Sequence, residues 1–206
     1  ALNTTYQKEL RYRPYIEPVR ASLPDNVLAN EGVTYKTVEN AWGKHELKMN
    51  IYRPNDGKEY PVLMMIHGGG WNSGNLGLQV PMAQQIATKG YVTISVEDAI
   101  EWVYNNAGRF GIDKEKIAVS GCSAGGQLAM LIGMKNASGK IRAVINMDGI
   151  SSFVTDESIN RAKQARDSNK PLPIDAIWLG GTYQEQKKNW EEACALYWIS
   201  KNSAPV

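Results

Sequence analysis

The run Ser120-Gly121-Cys122-Ser123-Ala124-Gly125-Gly126 constrains this chain more than any other stretch. Gly121, Ser123 and Gly125 stand in a G-x-S-x-G pattern. Before it, Lys116–Val119 is short and rich in β-branched and apolar residues, which predicts a buried strand. After it, Gln127–Met134 is rich in helix formers. A serine is therefore set on a sharp turn between a strand and a helix, the context that turns a weak pattern match into a nucleophile elbow. Such a turn forces strained angles on the serine, at about 1–3 kcal/mol. Its neighbours two positions away on either side must be small, because strand and helix pack around them. The Ser123 hydroxyl then stands clear of the sheet, near the positive end of a helix dipole. A mere Gly/Ser-rich connecting loop would need neither flank.

A second stretch points the same way. Val62–Ile66 is an apolar strand, and His67-Gly68-Gly69-Gly70-Trp71 follows it. Glycines placed there let backbone N–H groups converge on one point. Acyl transfer uses that arrangement, because charge builds on the carbonyl oxygen in the transition state. Losing one such donor costs about 2.7–4 kcal/mol in a serine enzyme where it has been measured.

These two motifs, in this order, resemble the α/β-hydrolase superfamily. The likeness is to its HGGG(W) esterase branch, which includes hormone-sensitive-lipase-like and acetyl-xylan- or feruloyl-esterase-like enzymes, with kynurenine formamidases nearby. It runs from Val33 to the C-terminus. The resemblance implies an α/β fold: a mostly parallel sheet with helices on both faces and an N-terminal antiparallel hairpin. It places Ser123 at the nucleophile and Gly69, Gly70 and the Ala124 amide at the oxyanion hole. His67 matches the structural histidine that pins the glycine loop, and Gly121 and Gly125 the small residues of the elbow. It implies a serine carboxylic-ester hydrolase acting through an acyl-enzyme on short, acetyl-type esters, with carbohydrate esters among them. No cofactor and no metal are implied. Two other functions stay open: an arylformamidase- or peptidase-type amide hydrolase using the same site, and a binding protein that kept the fold without the chemistry.

A serine hydroxyl is a weak nucleophile until a base takes its proton. In the resembling fold the acid and then the histidine follow the serine. This chain has two histidines, His45 and His67, and both precede Ser123. Neither triad partner is assigned to a residue here. Both are expected beyond Val206, since Ser200–Val206 resembles the stretch that leads into a further core strand. Asp148, at a strand end, is the strongest acid candidate within the chain, against a turn or N-cap role. Asp156 and Asp175 are weaker candidates. His45 reads as an exposed strand-end residue. A second irregularity lies between Val96, which closes a strand, and Asp98, which opens a helix. Strand-to-helix connections usually take about 2–6 residues, so residues are expected to be missing there, with a smaller gap of the same kind at Asn75–Gly77.

Composition excludes several other classes. A length of 206 residues suits one domain, and 43% hydrophobic residues suffice for a core. The formal net charge of +2 gives no reason to expect nucleic acid or an anionic membrane surface as partner. Lys187-Lys188 reads as a solvated helix face. Cys122 lies inside the elbow and Cys194 far from it, so neither a disulfide framework nor a zinc pattern is expected. No apolar run has the length of a membrane span. A start at Ala1 without signal-peptide features leaves the compartment open between secreted, periplasmic and cytoplasmic. The oligomeric state is open too.

The chain divides into an N-terminal strap (1–30) and a hydrolase domain (31–206), with 151–175 as a candidate cap over the pocket. In the strap, Thr4 or Thr5 is expected to cap a helix over Tyr6–Arg11, and Pro14, Pro18 and Pro24 predict extended chain after it. Val33–Val38 and Leu47–Tyr52 alternate and predict a hairpin with its turn at Asn40–Lys44. Helices are predicted over Gln79–Lys89, Ile100–Asn106 and Ser158–Ser168, and strands over Tyr91–Val96 and Ile141–Asn146. Trp190, Ala193, Cys194, Tyr197 and Trp198 recur at helical spacing, which predicts a core-packing helix, with sugar stacking as the alternative role.

Overall fold

A computed structural model describes residues 2–16, 22–40, 43–95 and 99–206 of the chain. The expected irregularity at 96–98 and the middle of the proline-marked strap fall outside these residues. A short helix α1 spans Leu2–Glu9. It starts ahead of Thr4 and Thr5, so the threonines lie within it and do not cap it.

The sheet has six strands: β1 (Val27–Asn40), β2 (Gly43–Pro54), β3 (Tyr60–Ile66), β4 (Val92–Ser95), β5 (Ile112–Cys122) and β6 (Ile141–Met147), in spatial order β1-β2-β4-β3-β5-β6. β1 and β2 form the expected antiparallel hairpin, longer than its alternating segments suggested, with Asn40 paired to Gly43. β2 also runs antiparallel to β4. β3 is parallel to both β4 and β5, and β5 to β6. β5 outruns the expected Lys116–Val119 at both ends: Ile112 pairs with Tyr60 and Gly121 with Ile66. Neighbours on both edges supply backbone partners even to polar and glycine residues of low strand propensity.

Helices cover both faces. Along β3, Val62, Met64 and Ile66 enter the main core with Val119, Ala129 and Met134, while Met65 joins Tyr52, Ala83 and Ala87 on the other side. This alternation is the period-two signature of a strand with two buried faces. Helix α2 (Val80–Ala87) has Pro81 in its first turn, where the missing N–H costs nothing, and packs on the second face. Helices α3 (Ile100–Asn105) and α4 (Ala124–Lys135) pack on the first.

A separate cluster follows β6, built from Phe153, Ala162, Ala176, Leu179, Trp190 and Ala193. It joins helices α5 (Asp156–Asp167), α6 (Ile174–Trp178) and α7 (Tyr183–Ala193). Thr155 caps α5, accepting from the Ser158 N–H, with Asp156 and Glu157 in the first turn. Thr182 and Glu185 form a reciprocal capping box on α7. The helix expected across Trp190–Trp198 is broken. α7 stops at Ala193, Cys194 is extended at ψ 107°, and Ala195–Trp198 is a 3₁₀ turn. The break lets the buried Cys194 thiol donate to Ser152 Oγ at 3.1 Å. Trp190 is fully buried and its indole donates to the Gly181 carbonyl at 3.0 Å. Farther on, the Ala204 N–H donates to Gly133 O and the Val144 N–H to Pro205 O, so the tail runs beside β6. Among the described residues no helix is long and apolar enough to cross a membrane.

Candidate active site

β3 and β5 lie side by side, parallel and in register, with Met65 opposite Ser120 and Ile66 opposite Gly121. Their carboxyl ends therefore deliver the glycine run and the serine turn to the same place, at a point where the chain has placed strands on both sides of β3. Crevices at such points are where open α/β sheets bind ligands.

Ser123 is the N-cap of α4, with φ 55° and ψ −121°. That region is strained for any residue with a Cβ. The turn is held from two sides: the Ser123 N–H donates to Met147 O at 2.9 Å, and the Gln127 N–H donates to Ser123 O at 3.0 Å. The side chain is exposed. The flanking glycines are required by space. A Cβ on Gly121 would collide with the Gly125 carbonyl, and one on Gly125 with the carbonyls of Ile66 and His67.

In the glycine loop Gly69, Gly70 and Trp71 have φ of 140°, 57° and 58°. The Gly69 carbonyl points inward to the loop, accepting from the N–H groups of Asn72 (3.2 Å) and Ser73 (3.0 Å) and from Ser73 Oγ (2.9 Å). Among the described residues the Gly69 and Gly70 N–H groups have no backbone acceptor. The loop meets the elbow at Gly68, where a Cβ would stand 3.4 Å from that of Ser123. His67 Nδ1 lies 2.8 Å from Gly68 O, and carries the proton in that contact because a carbonyl only accepts. The His67 ring also lies against Gly74. A cavity of about 450 Å³ opens here, lined by His67, Gly68, Trp71, Ala124, Leu128 and Trp178.

Four residues that sequence reasoning left in helices and loops, Trp178, Phe153, Gln127 and Ile174, complete the surroundings. Trp71 stacks on Trp178, with centroids 5.0 Å apart and planes 18° from parallel, and both rings tilt onto the buried Phe153. The Trp71 indole donates to Gln127 Oε1 at 3.1 Å. Ile174 of α6 sits beside Gly70. The only signal for these contacts was the tryptophan that closes the His-Gly-Gly-Gly-Trp run.

The candidate acids separate. Asp148 follows β6 at φ 58°, exposed, in a turn closed by Asn146 and Gly149. Asp175 is excluded as a free acid: it is buried and ion-paired with Arg161 at 2.6 Å, tying α6 to α5. Asp156 belongs to the first turn of α5. His45 pairs with Val38 in the hairpin. Among the described residues the most displaced carboxylate belongs to the α5–α7 layer. The Arg166 guanidinium, and then the Thr182 N–H, hold Glu185 down at about 2. Among the described residues no three or more His, Cys, Asp or Glu side chains gather to hold a metal.

The BD-FAE family model matches residues 49–98 and 96–206. The chain belongs to the BD-FAE family. The two matched segments of this BD-FAE chain meet at 96–98. An arylesterase of Saccharolobus solfataricus is 28% identical over 152 residues, covering 64% of this chain and 50% of the relative. Esterase LipC of Mycobacterium tuberculosis is 32% identical over 106 residues, 42% of this chain and 26% of LipC. The chain thus spans half or less of these relatives. Among solved structures, a Pyrobaculum calidifontis esterase superposes with a TM-score of 0.62 at 22% identity, covering 98% of this chain and 72% of that one. The bifunctional GH43-CE protein of Bacteroides eggerthii does so with a TM-score of 0.66 at 18% identity, covering 90% and 28%. The α/β-hydrolase fold expected from the two motifs is the fold of this BD-FAE member.

Proposed function

We propose that this chain carries the nucleophile and the oxyanion-binding loop of a serine carboxylic-ester hydrolase. The observation that carries the reading is the strained, exposed Ser123 beside a glycine loop whose Gly69 and Gly70 N–H groups have no backbone acceptor among the described residues. Ser123 Oγ attacks the ester carbonyl carbon while its proton passes to a base. The carbonyl oxygen gains the charge and is held by the N–H groups of Gly69, Gly70 and Ala124. Collapse expels the alcohol and leaves an acyl-serine, which water then hydrolyses. The base and the acid behind it are assigned to no residue of this chain. Short, acetyl-type acyl groups are the proposed substrates, carbohydrate esters included. The named activities of the similar arylesterase and esterases support an ester over an amide.

Turnover of p-nitrophenyl acetate, together with covalent capture of a fluorophosphonate at Ser123 read by mass spectrometry, tests the reading. Loss of both in Ser123→Ala is expected. A second reading is a fold retained for binding without the chemistry. A folded protein that neither labels nor turns over ester would decide for it.

A further inference from the structure

Gln127 is fully buried, and both ends of its side-chain amide are used. Its Oε1 accepts from the Trp71 indole at 3.1 Å, and its Nε2 donates to Ala193 O, at the end of α7, at 3.0 Å. The partners lie 56 and 66 residues away in sequence. An indole only donates and a carbonyl only accepts, so the amide orientation is fixed, and neither a methionine nor an ionised glutamate of this size can serve both. Gln127 is also bound to the elbow, its own N–H donating to Ser123 O. Trp71, which directly follows Gly70, holds a φ of 58°, an unusual conformation for a bulky residue. Something outside the loop must keep it there.

We infer that Gln127 is a positioning residue for the oxyanion loop: its amide clasps Trp71 and so holds the Gly69 and Gly70 N–H groups in place relative to Ser123. The inference rests on the ester-hydrolase reading for its kinetic consequence, and on geometry alone for the clasp. Ser123 and Gln127 stand one turn apart on a rigid helix, and the indole ties the loop to that helix. The Trp178 stack and the α7 carbonyl fix the other sides of the same indole and amide. Donors aimed where charge develops act only if they need not reorganise. Loosening Trp71 therefore costs transition-state binding while leaving ground-state binding nearly unchanged.

The test compares Gln127→Met, which fills the space without either hydrogen bond, Gln127→Glu, and Trp71→Phe, in the full chain. Each is followed by p-nitrophenyl acetate kinetics and by near-ultraviolet circular dichroism of the Trp71–Trp178 pair. In folded Gln127→Met, kcat is expected to fall about 10- to 100-fold with KM shifted less than about threefold. Trp71→Phe should cost a similar factor, and the double variant no more than either single one. The carboxyl introduced by Gln127→Glu can, when protonated, both donate and accept, as the amide does. The kcat of Gln127→Glu relative to wild type, at matched pH, should therefore climb as pH falls, while that of Gln127→Met stays flat. The indole-pair signal should weaken in Gln127→Met and recover in Gln127→Glu over the same pH range. If Gln127→Met destabilises the fold, the pH series of Gln127→Glu still decides. Wild-type kcat and an unchanged indole signal in folded Gln127→Met, or a Gln127→Glu whose kcat relative to wild type does not change with pH, would overturn the inference, as would additive losses in the double variant of Gln127→Met and Trp71→Phe. A wild-type protein that hydrolyses no ester would defeat the functional reading alone, because the dichroism needs no turnover.

Discussion

Gly125, in the first turn of α4, packs its Cα against the carbonyl of Ile66, the last residue of β3, leaving no room for a side chain. Ile66 in turn is the register partner of Gly121, on the other side of the serine. Gly125 is thus spent on the contact between the serine turn and the strand that launches the glycine loop, and Gly121 on the contact of β5 with the Gly125 carbonyl. Gly125→Ala should push these elements apart. Overpacking of this kind costs about 1–3 kcal/mol, and a fall of several degrees in the thermal midpoint is expected, with loss of ester turnover. A variant as stable and as active as wild type would mean that the helix can shift without consequence.

Ser123 is held at φ 55°. Glycine occupies that region without strain, while giving up some chain entropy on folding. Ser123→Gly should therefore raise stability by about 1 kcal/mol while abolishing turnover by roughly 10⁴-fold or more. Urea denaturation of the two proteins reads the first effect. A clear loss of stability would show that the serine is not strained.

Glu185 is depressed from its ordinary 4.5 to about 2 by Arg166 and the Thr182 N–H. A carboxyl whose pKa is lowered by folding stabilises the fold fully above its unfolded value. That contribution is lost as pH falls from about 4.5 through about 2. Glu185→Gln keeps the capping box and removes the charge. The wild-type protein should be the more stable one above pH 5 in urea, and the difference should shrink toward pH 2. A difference independent of pH would assign the effect to packing and not to charge.

Phe153 is fully buried beneath both Trp71 and Trp178. Phe153→Ala should cost about 3–5 kcal/mol and free the indole stack, so near-ultraviolet dichroism and ester turnover should fall together. Unchanged turnover in the folded variant would separate the stack from the oxyanion loop.

The elbow and the glycine loop were legible because each rests on local sterics. An apolar run before a glycine, a serine between small residues and helix formers after them leave the backbone few choices. Their meeting was decided by the strand order, which sets β3 beside β5 although β4 lies between them in sequence. β5 was read too short because pairing on both edges recruits residues that have no strand propensity of their own. The helix read across Cys194 failed because the periodicity of Trp190, Ala193 and Tyr197 carries no record of the thiol that must reach Ser152.

The sequence by itself determined the local geometry of the catalytic candidates: a strained serine, the glycines that make room for it, and a glycine loop able to turn its N–H groups toward one point. Only the tertiary structure decided what holds that loop. The Gln127 amide, the Trp178 ring and Phe153 reach Trp71 from three distant parts of the chain. A buried polar group or an aromatic face can be satisfied by many partners, and packing selects which one is within reach.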